Sequence, residues 1–329
     1  MKSSGRLDFL DAVRGVAIIM VVAIHAVSYV PSLPETVVWF VDVFCKTIAV
    51  PIFFIVDGYI FHLKSRSLNY STYMISSFKR LIVPWLSFLL IYSCARFVFE
   101  YFGDAERYIY KREFFEVVAF SYNSVVAVQL YFLPALFLVR LTFPLLKVIN
   151  DLHLYGKLTV FFGYITLYHT VDAGFLNVLS VEGGLEPVRH ALWGGQFYLV
   201  GMILSTFIIK DLWRYLFPVV SVALFFAGAY FDESAYKYLF QYAYLLSVFF
   251  LSVFFGGVMK WLGQYTMAIY LLHAPVLMKA ISLGLLTFLT EPIVVFMLLM
   301  LLTCVASVVI YKQCANYSAL RPLFGDQLK

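Results

Sequence analysis

The sequence predicts an all-α, polytopic membrane protein of about ten transmembrane helices with both termini cytoplasmic. Composition is the first reason: 63% of the 329 residues are hydrophobic and only 13% charged, and the mean hydropathy is +0.88. A soluble domain could not cover that much apolar surface. The second reason is that the apolar residues come in repeated continuous runs of about 18–25, the length that crosses a bilayer as a helix. They do not alternate with polar residues, as the strands of a barrel would. The third reason is the distribution of charge between the loops.

The runs fall at residues 12–30, 37–61, 81–101, 117–147, 158–171, 191–209, 216–230, 238–258, 265–285 and 293–311. The first carries Arg14 and His25 and lacks a small-x-small cleavage site, so it reads as a retained helix and not a signal peptide. The fourth is long and is expected to tilt or break near Pro134. The fifth is the shortest. With the N-terminus inside, the cytoplasmic loops collect Lys64, Arg66, Lys79, Arg80, Lys147, Lys157, Lys210, Arg214, Lys260 and Lys312. The outer loops hold fewer bases and collect acids instead, among them Glu100, Asp104, Glu106, Asp172, Glu182, Asp232, Glu233 and Glu291. Removing one span would invert every later loop, so the positive-inside rule favours an even count.

No low-complexity tail, fixed-period repeat or soluble module interrupts the pattern, and residues 1–329 read as one integral membrane domain. The outer loops 101–116 and 172–190 are the places where an extracytoplasmic partner could be gripped. Cys45, Cys94, Cys304 and Cys314 have neither metal nor redox spacing and read as packing residues. The net charge of +5 is no nucleic-acid signal, and no Walker loop, Rossmann glycine pattern, GxSxG elbow or zinc spacing is present. No metal is expected.

Arg14 and His25 are the most informative pair. They lie 11 residues apart in one span, close to three turns, so they share a face about 16 Å apart along the axis. A cation and an imidazole on one stripe are costly against lipid and belong in a protein interior or a wet cavity. Arg14 reads either as an anion clamp or as a snorkelling arginine at a helix end. His25 reads either as a general base or as a neutral histidine bonded to backbone. Asp42, on the returning second span, could meet His25 at one depth; the competing reading is an Asp42–Lys46 pair at i, i+4.

Asp57 lies near the cytoplasmic boundary, as a partner of Arg14 or Arg80 or simply exposed. Lys79 and Arg80, ahead of the third span, are either inside-loop anchors or additional phosphate ligands. Gln129 and Tyr131 suit a sugar or acyl pocket, or an interfacial belt. Thr266, Tyr270 and His273 fall on one stripe, and Pro275 frees a backbone carbonyl. His273 has its own bland reading as a cross-helix hydrogen bond.

Taken together these pieces resemble the acyltransferase 3 family of integral membrane O-acyltransferases, in the bare membrane form without a C-terminal esterase-like domain. The resemblance runs from Arg6 to about Ile310. It rests on Arg-x10-His (Arg14 to His25) inside Leu-Asp-x-x-Arg-Gly (Leu10 to Gly15), and on Pro-x-Phe-Phe-x-x-Ser-Gly-Tyr (Pro51 to Tyr59). It rests further on Arg-x-x-Arg-x-x-x-Pro ahead of the third span, a Trp-Phe-Leu-like stretch at Tyr131 to Leu133, and Leu-Gly-x-x-Ser-x-x-x-Tyr-Leu-x-His (Leu262 to His273). Three positions depart from the pattern. Asp57 stands where the serine before Gly58 belongs, Ser77 replaces the first arginine of Arg-x-x-Arg, and Thr266 replaces a serine.

The resemblance implies transfer of an acyl group, usually acetyl, from cytoplasmic acetyl-CoA to a hydroxyl of a cell-envelope glycan or lipid-linked sugar. The setting it implies is a bacterial cytoplasmic (inner) membrane. Arg14, Arg80 and Lys79 are then expected to hold the CoA phosphates, and His25 to deprotonate the acceptor, or briefly carry the acyl group, with Asp42 as orienting partner. Asp57, Tyr131, Tyr270 and His273 remain further candidates. Two other function classes fit the spans: a transporter or flippase for an anionic sugar or lipid intermediate, which would leave its substrate unchanged, and a non-catalytic subunit of an envelope-building complex.

Overall fold

The computed structural model describes residues 8–102, 128–171, 186–206, 219, 234–252 and 254–325. The regular elements among the described residues are all helices, without strands. We number the α-helices α1 (Asp8–Ala26), α2 (Glu35–Phe40), α3 (Lys46–Lys64), α4 (Tyr70–Ser77), α5 (Val83–Phe102), α6 (Phe132–Leu141) and α7 (Phe143–Asp151). They continue with α8 (Leu154–Val171), α9 (Glu186–Leu204), α10 (Ser234–Leu251), α11 (Gly257–Gln264), α12 (Thr266–Leu272), α13 (Met278–Phe288) and α14 (Pro292–Ala315).

Among the described residues five helices are long and apolar enough to cross a bilayer: Asp8–Tyr29, Glu35–Ser67, Tyr70–Ala95, Thr266–Phe288 and Pro292–Ala315. A sixth arises if Gln129–Leu141 and Phe143–Asp151, bent by 62°, count as one. The spans expected at 158–171, 191–209 and 238–258 coincide with the helices α8, α9 and α10 without joining those five. The span expected at 216–230 lies outside the described residues, apart from position 219, as do the opening of the fourth span and most of both long outer loops.

The break in the fourth span differs in place from the expectation. Pro134 sits in the first turn of α6, where its missing N–H costs nothing. The bend falls at Thr142, because Pro144 starts a new helix at its N-terminal positions and cannot continue the old one.

Two close crossings set the frame, and both are made by glycine. A Cβ on Gly15 of α1 would sit 1.9 Å from the Met259 carbonyl oxygen of α11, and one on Gly263 of α11 would sit 1.7 Å from that of Asp11 in α1. The same reciprocity joins α3 to α9: a Cβ on Gly58 would meet the Tyr198 carbonyl oxygen at 2.1 Å, and one on Gly201 that of Ile55 at 2.0 Å. Small residues let helix backbones touch where lipid provides no hydrophobic drive for association. Three of the four glycines flank candidate site residues, so these crossings also place the site.

Among the described residues two turns of wider, π-type winding interrupt the helices, at Val41–Cys45 and Phe78–Ile82. Such bulges recur at functional sites. Here they contain Asp42, and Lys79 with Arg80; His273 instead stands at a kink, where Ala274 leaves the helical conformation.

Candidate active site

One end of the bundle gathers charge. The start of α1, the end of α3, the π turn ahead of α5, the end of α6 and the α11–α12 junction meet around a cavity of about 270 Å³. Arg14, Asp57, Arg80, Arg140, Gln264, Thr266 and Tyr270 line it, with Phe53, Phe132 and Leu136 among its apolar walls.

The charges are arranged in pairs with one left over. Arg14 Nη1 donates to Asp11 Oδ1 at 3.1 Å, and the Asp11 side chain is only 2% exposed. Arg140 grips Asp57 with two donors, Nε to Oδ2 at 2.9 Å and Nη2 to Oδ1, and both side chains are 14% exposed. Its Nη1 donates to Ser77 Oγ at 3.2 Å, and the guanidinium lies 5.7 Å from the centre of the Tyr73 ring. A buried ion pair persists when its partners are close and further hydrogen bonds serve the remaining donors, as here. Arg80 is exposed to the cavity and has no ion pair among the described residues. The cavity therefore carries a net positive charge and suits an anion.

Asp57 pairs with Arg140, and not with Arg14 or Arg80 as the sequence offered. Lys79 shares the π turn with Arg80 and is exposed, but it is not among the cavity's lining residues.

A second level is built around the kink in the span that begins with α12. Pro275 has no N–H for the Leu271 carbonyl four residues back, and Ala274 is extended (φ −135°, ψ 155°). The orphaned carbonyls are met from other helices. Tyr92 Oη donates to Leu271 O, Gln129 Nε2 to Ala274 O at 2.7 Å, and Tyr29 Oη to Pro275 O at 3.4 Å. Tyr270 Oη donates in return to Gln129 O. So the freed carbonyl does not line the cavity; it is spent on Tyr92.

His273 lies on this kink, fully buried. Its Nδ1 faces the carbonyl oxygens of Ile269 at 3.0 Å and Tyr270 at 2.8 Å. Carbonyls only accept, so Nδ1 carries the proton and Nε2 presents a lone pair. Among the described residues that buried Nε2 has no partner. The neighbouring ring is that of His25, 5.1 Å away between centroids. His25 is half-buried and makes no hydrogen bond among the described residues. Tyr270 links the two levels: it lines the cavity, and its ring lies 6.2 Å from that of His273.

Asp42 is not at this level's centre. It pairs with Lys46 at 2.5 Å, with side chains 47% and 55% exposed, which is the i, i+4 arrangement. The Tyr131 ring lies 4.2 Å from that of His190, tilted by 31°. Thr266 donates to the Gly263 carbonyl at 2.8 Å and so caps the α11–α12 junction. Arg140 is the residue that sequence reasoning passed over. The signal was available: it is a cation inside an apolar run, the same argument that selects Arg14.

Fold and site together define a multi-pass membrane protein with a positively charged cavity and two neighbouring imidazole rings, of which that of His273 is fully buried. Residues 7–312 match the model of the acyltransferase 3 family, an acyltransferase domain. That is nearly the whole chain, and the chain belongs to this family: it is a membrane acyltransferase. It matches no curated protein and no solved structure.

Proposed function

We propose that this acyltransferase moves an acetyl group from acetyl-CoA to a hydroxyl of a cell-envelope glycan or lipid-linked sugar. The observation that carries the reading is a chain of neighbours: Arg14 and Tyr270 line the positively charged cavity, the Tyr270 ring lies 6.2 Å from that of His273, and the His273 ring 5.1 Å from that of His25. The donor's phosphates fit the cationic end. Among the described residues Arg80 has no carboxylate partner, and Arg14 keeps 30% of its side chain exposed beside Asp11. Lys79, on the same turn as Arg80, adds charge at the rim.

In the reaction His25 takes the proton of the acceptor hydroxyl as its oxygen attacks the thioester carbonyl. The new C–O bond forms, the C–S bond breaks, and CoA leaves as a thiolate that is then protonated. His273, held in one tautomer by two backbone carbonyls, offers its Nε2 lone pair to His25 or to the acceptor and steadies the proton's position. Asp42 would take that orienting part only if it left Lys46. Tyr131 and Gln129 frame the acceptor side. The same reading places ten spans in a bacterial inner membrane with both termini cytoplasmic, supported by the loop charges; CoA then enters from the side of Arg14 and Arg80.

The test is transfer of radiolabelled acetyl from acetyl-CoA into the glycan fraction of membranes, wild type against His25→Ala at matched protein levels. The expected result is label with the wild type and none with the variant. Retained transfer in His25→Ala would remove the base from His25. A wild-type protein that neither transfers label nor binds CoA would overturn the donor assignment.

A further inference from the structure

Two of the three departures from the family pattern meet at one point in space, on a residue outside that pattern. Asp57 replaces a serine, Ser77 replaces an arginine, and Arg140, from a different helix, bonds to both. Position 77 is 1% exposed and its Oγ receives Arg140 Nη1. The place beside Ser77 thus holds a guanidinium delivered from α6 instead of from position 77 itself. A second arginine there would put two cations into one buried place. The carboxylate of Asp57 balances the charge of the guanidinium on the side away from Ser77.

Arg140 is not used up by these bonds. A guanidinium has five N–H donors, and two go to Asp57 and one to Ser77. Among the described residues two N–H groups remain without a partner, on a residue that lines the cavity with Arg14 and Arg80. Asp57 fixes the plane of the fork, and a fixed fork loses little freedom when it binds an anion.

We propose that Arg140 is an anion-binding residue of the donor pocket, standing in for the arginine missing at position 77, with Asp57 and Ser77 as its positioning partners. The ligand is a phosphate or pyrophosphate group, which on the reading above belongs to acetyl-CoA. A purely structural ion pair gives no reason for donor affinity to fall when both its partners are removed together, or to return when a cation is put back from position 77. An anion site gives both, because the anion needs a cation at that place whichever residue supplies it.

The experiment follows from that difference. In Asp57→Ser/Arg140→Leu both charges are removed together, so no lone carboxylate is buried. The KM for acetyl-CoA should rise about 10–100-fold, the worth of a lost charge-assisted hydrogen bond, with kcat within about threefold. Adding Ser77→Arg to that double variant should return KM to within about threefold of wild type. A folded double variant with wild-type KM, or a triple variant no better than the double, overturns the proposal. If the double variant does not fold, Arg140→Lys decides. It keeps the charge opposite Asp57 but loses the planar fork, so a raised KM supports the proposal and an unchanged KM overturns it. Calorimetric binding of CoA and of inorganic pyrophosphate to the purified wild type separates the two readings. Binding that depends on Arg140 without any acyl transfer keeps this inference and removes the reaction. Transfer and binding both indifferent to Arg140 keep the reaction and remove this inference.

Discussion

The two levels of the site solve opposite problems. At the cavity every acid has an arginine, Asp11 with Arg14 and Asp57 with Arg140, and Arg80 is in surplus. At the kink no formal charge is required, and each polar atom that can be spent on backbone is spent, through Tyr92, Gln129, Tyr29 and His273 Nδ1. What remains there is a lone pair on His273 and the ring of His25. The difference follows from solvation. Charge is tolerated where the cavity opens to water and is paired where it does not, whereas a proton-handling group deep in the bundle works best when it is neutral and fixed. On the proposed reading one level takes an anion and the other a proton.

The comparison is broken most severely at the deep level. His25→Ala should lower kcat about 10²–10⁴-fold, the usual worth of a positioned general base, with the acetyl-CoA KM changed less than about threefold; initial rates over a range of acetyl-CoA concentration check it. If KM moves and kcat does not, the two levels are not functionally separate. Arg14→Gln tests the other level. It should raise the acetyl-CoA KM by about 10–100-fold and leave kcat nearly intact in the same assay.

Smaller effects sharpen the contrast. His273→Asn retains a donor for the Ile269 and Tyr270 carbonyls and loses the Nε2 lone pair. It should cost about tenfold in kcat, with thermal stability in detergent unchanged and the pH profile of kcat altered. Gly263→Val acts on the frame that joins the levels. It drives a side chain into the Asp11 carbonyl and should cost about 1–3 kcal/mol of stability, read as a lower unfolding temperature and less protein in the membrane. The smallest effect belongs to Asp42→Asn, whose exposed pair with Lys46 is worth about 0.2–1 kcal/mol at most. Activity should stay within about twofold. If it instead falls as far as in His273→Asn, Asp42 and not His273 serves His25.

Much of the site was legible because membrane burial makes charge conspicuous. Arg14, His25 and His273 stand out in apolar runs, and helical spacing alone puts the first two on one face. Ser77 and Asp57 were visible as departures from a pattern. Their meaning was not, because the compensating Arg140 is 63 residues from Ser77 and 83 from Asp57. Nothing in local sequence connects α6 to the π turn ahead of α5. The choice between Asp42–His25 and Asp42–Lys46 was equally hidden, since both satisfy the sequence and only packing separates them.

By itself, then, the sequence determined the class of protein: apolar runs of spanning length, loop charges, and a few polar residues at helical spacing inside them. Those are local properties, set by side-chain chemistry and the geometry of one helix. The tertiary structure decided which helices touch. Gly15 against Gly263 and Gly58 against Gly201 permit two backbone-close crossings, and these bring Arg14, Asp57 and Arg140 to one cavity and leave His25 beside His273. Contact between distant segments depends on the shapes of two surfaces at once, which no single stretch of chain records.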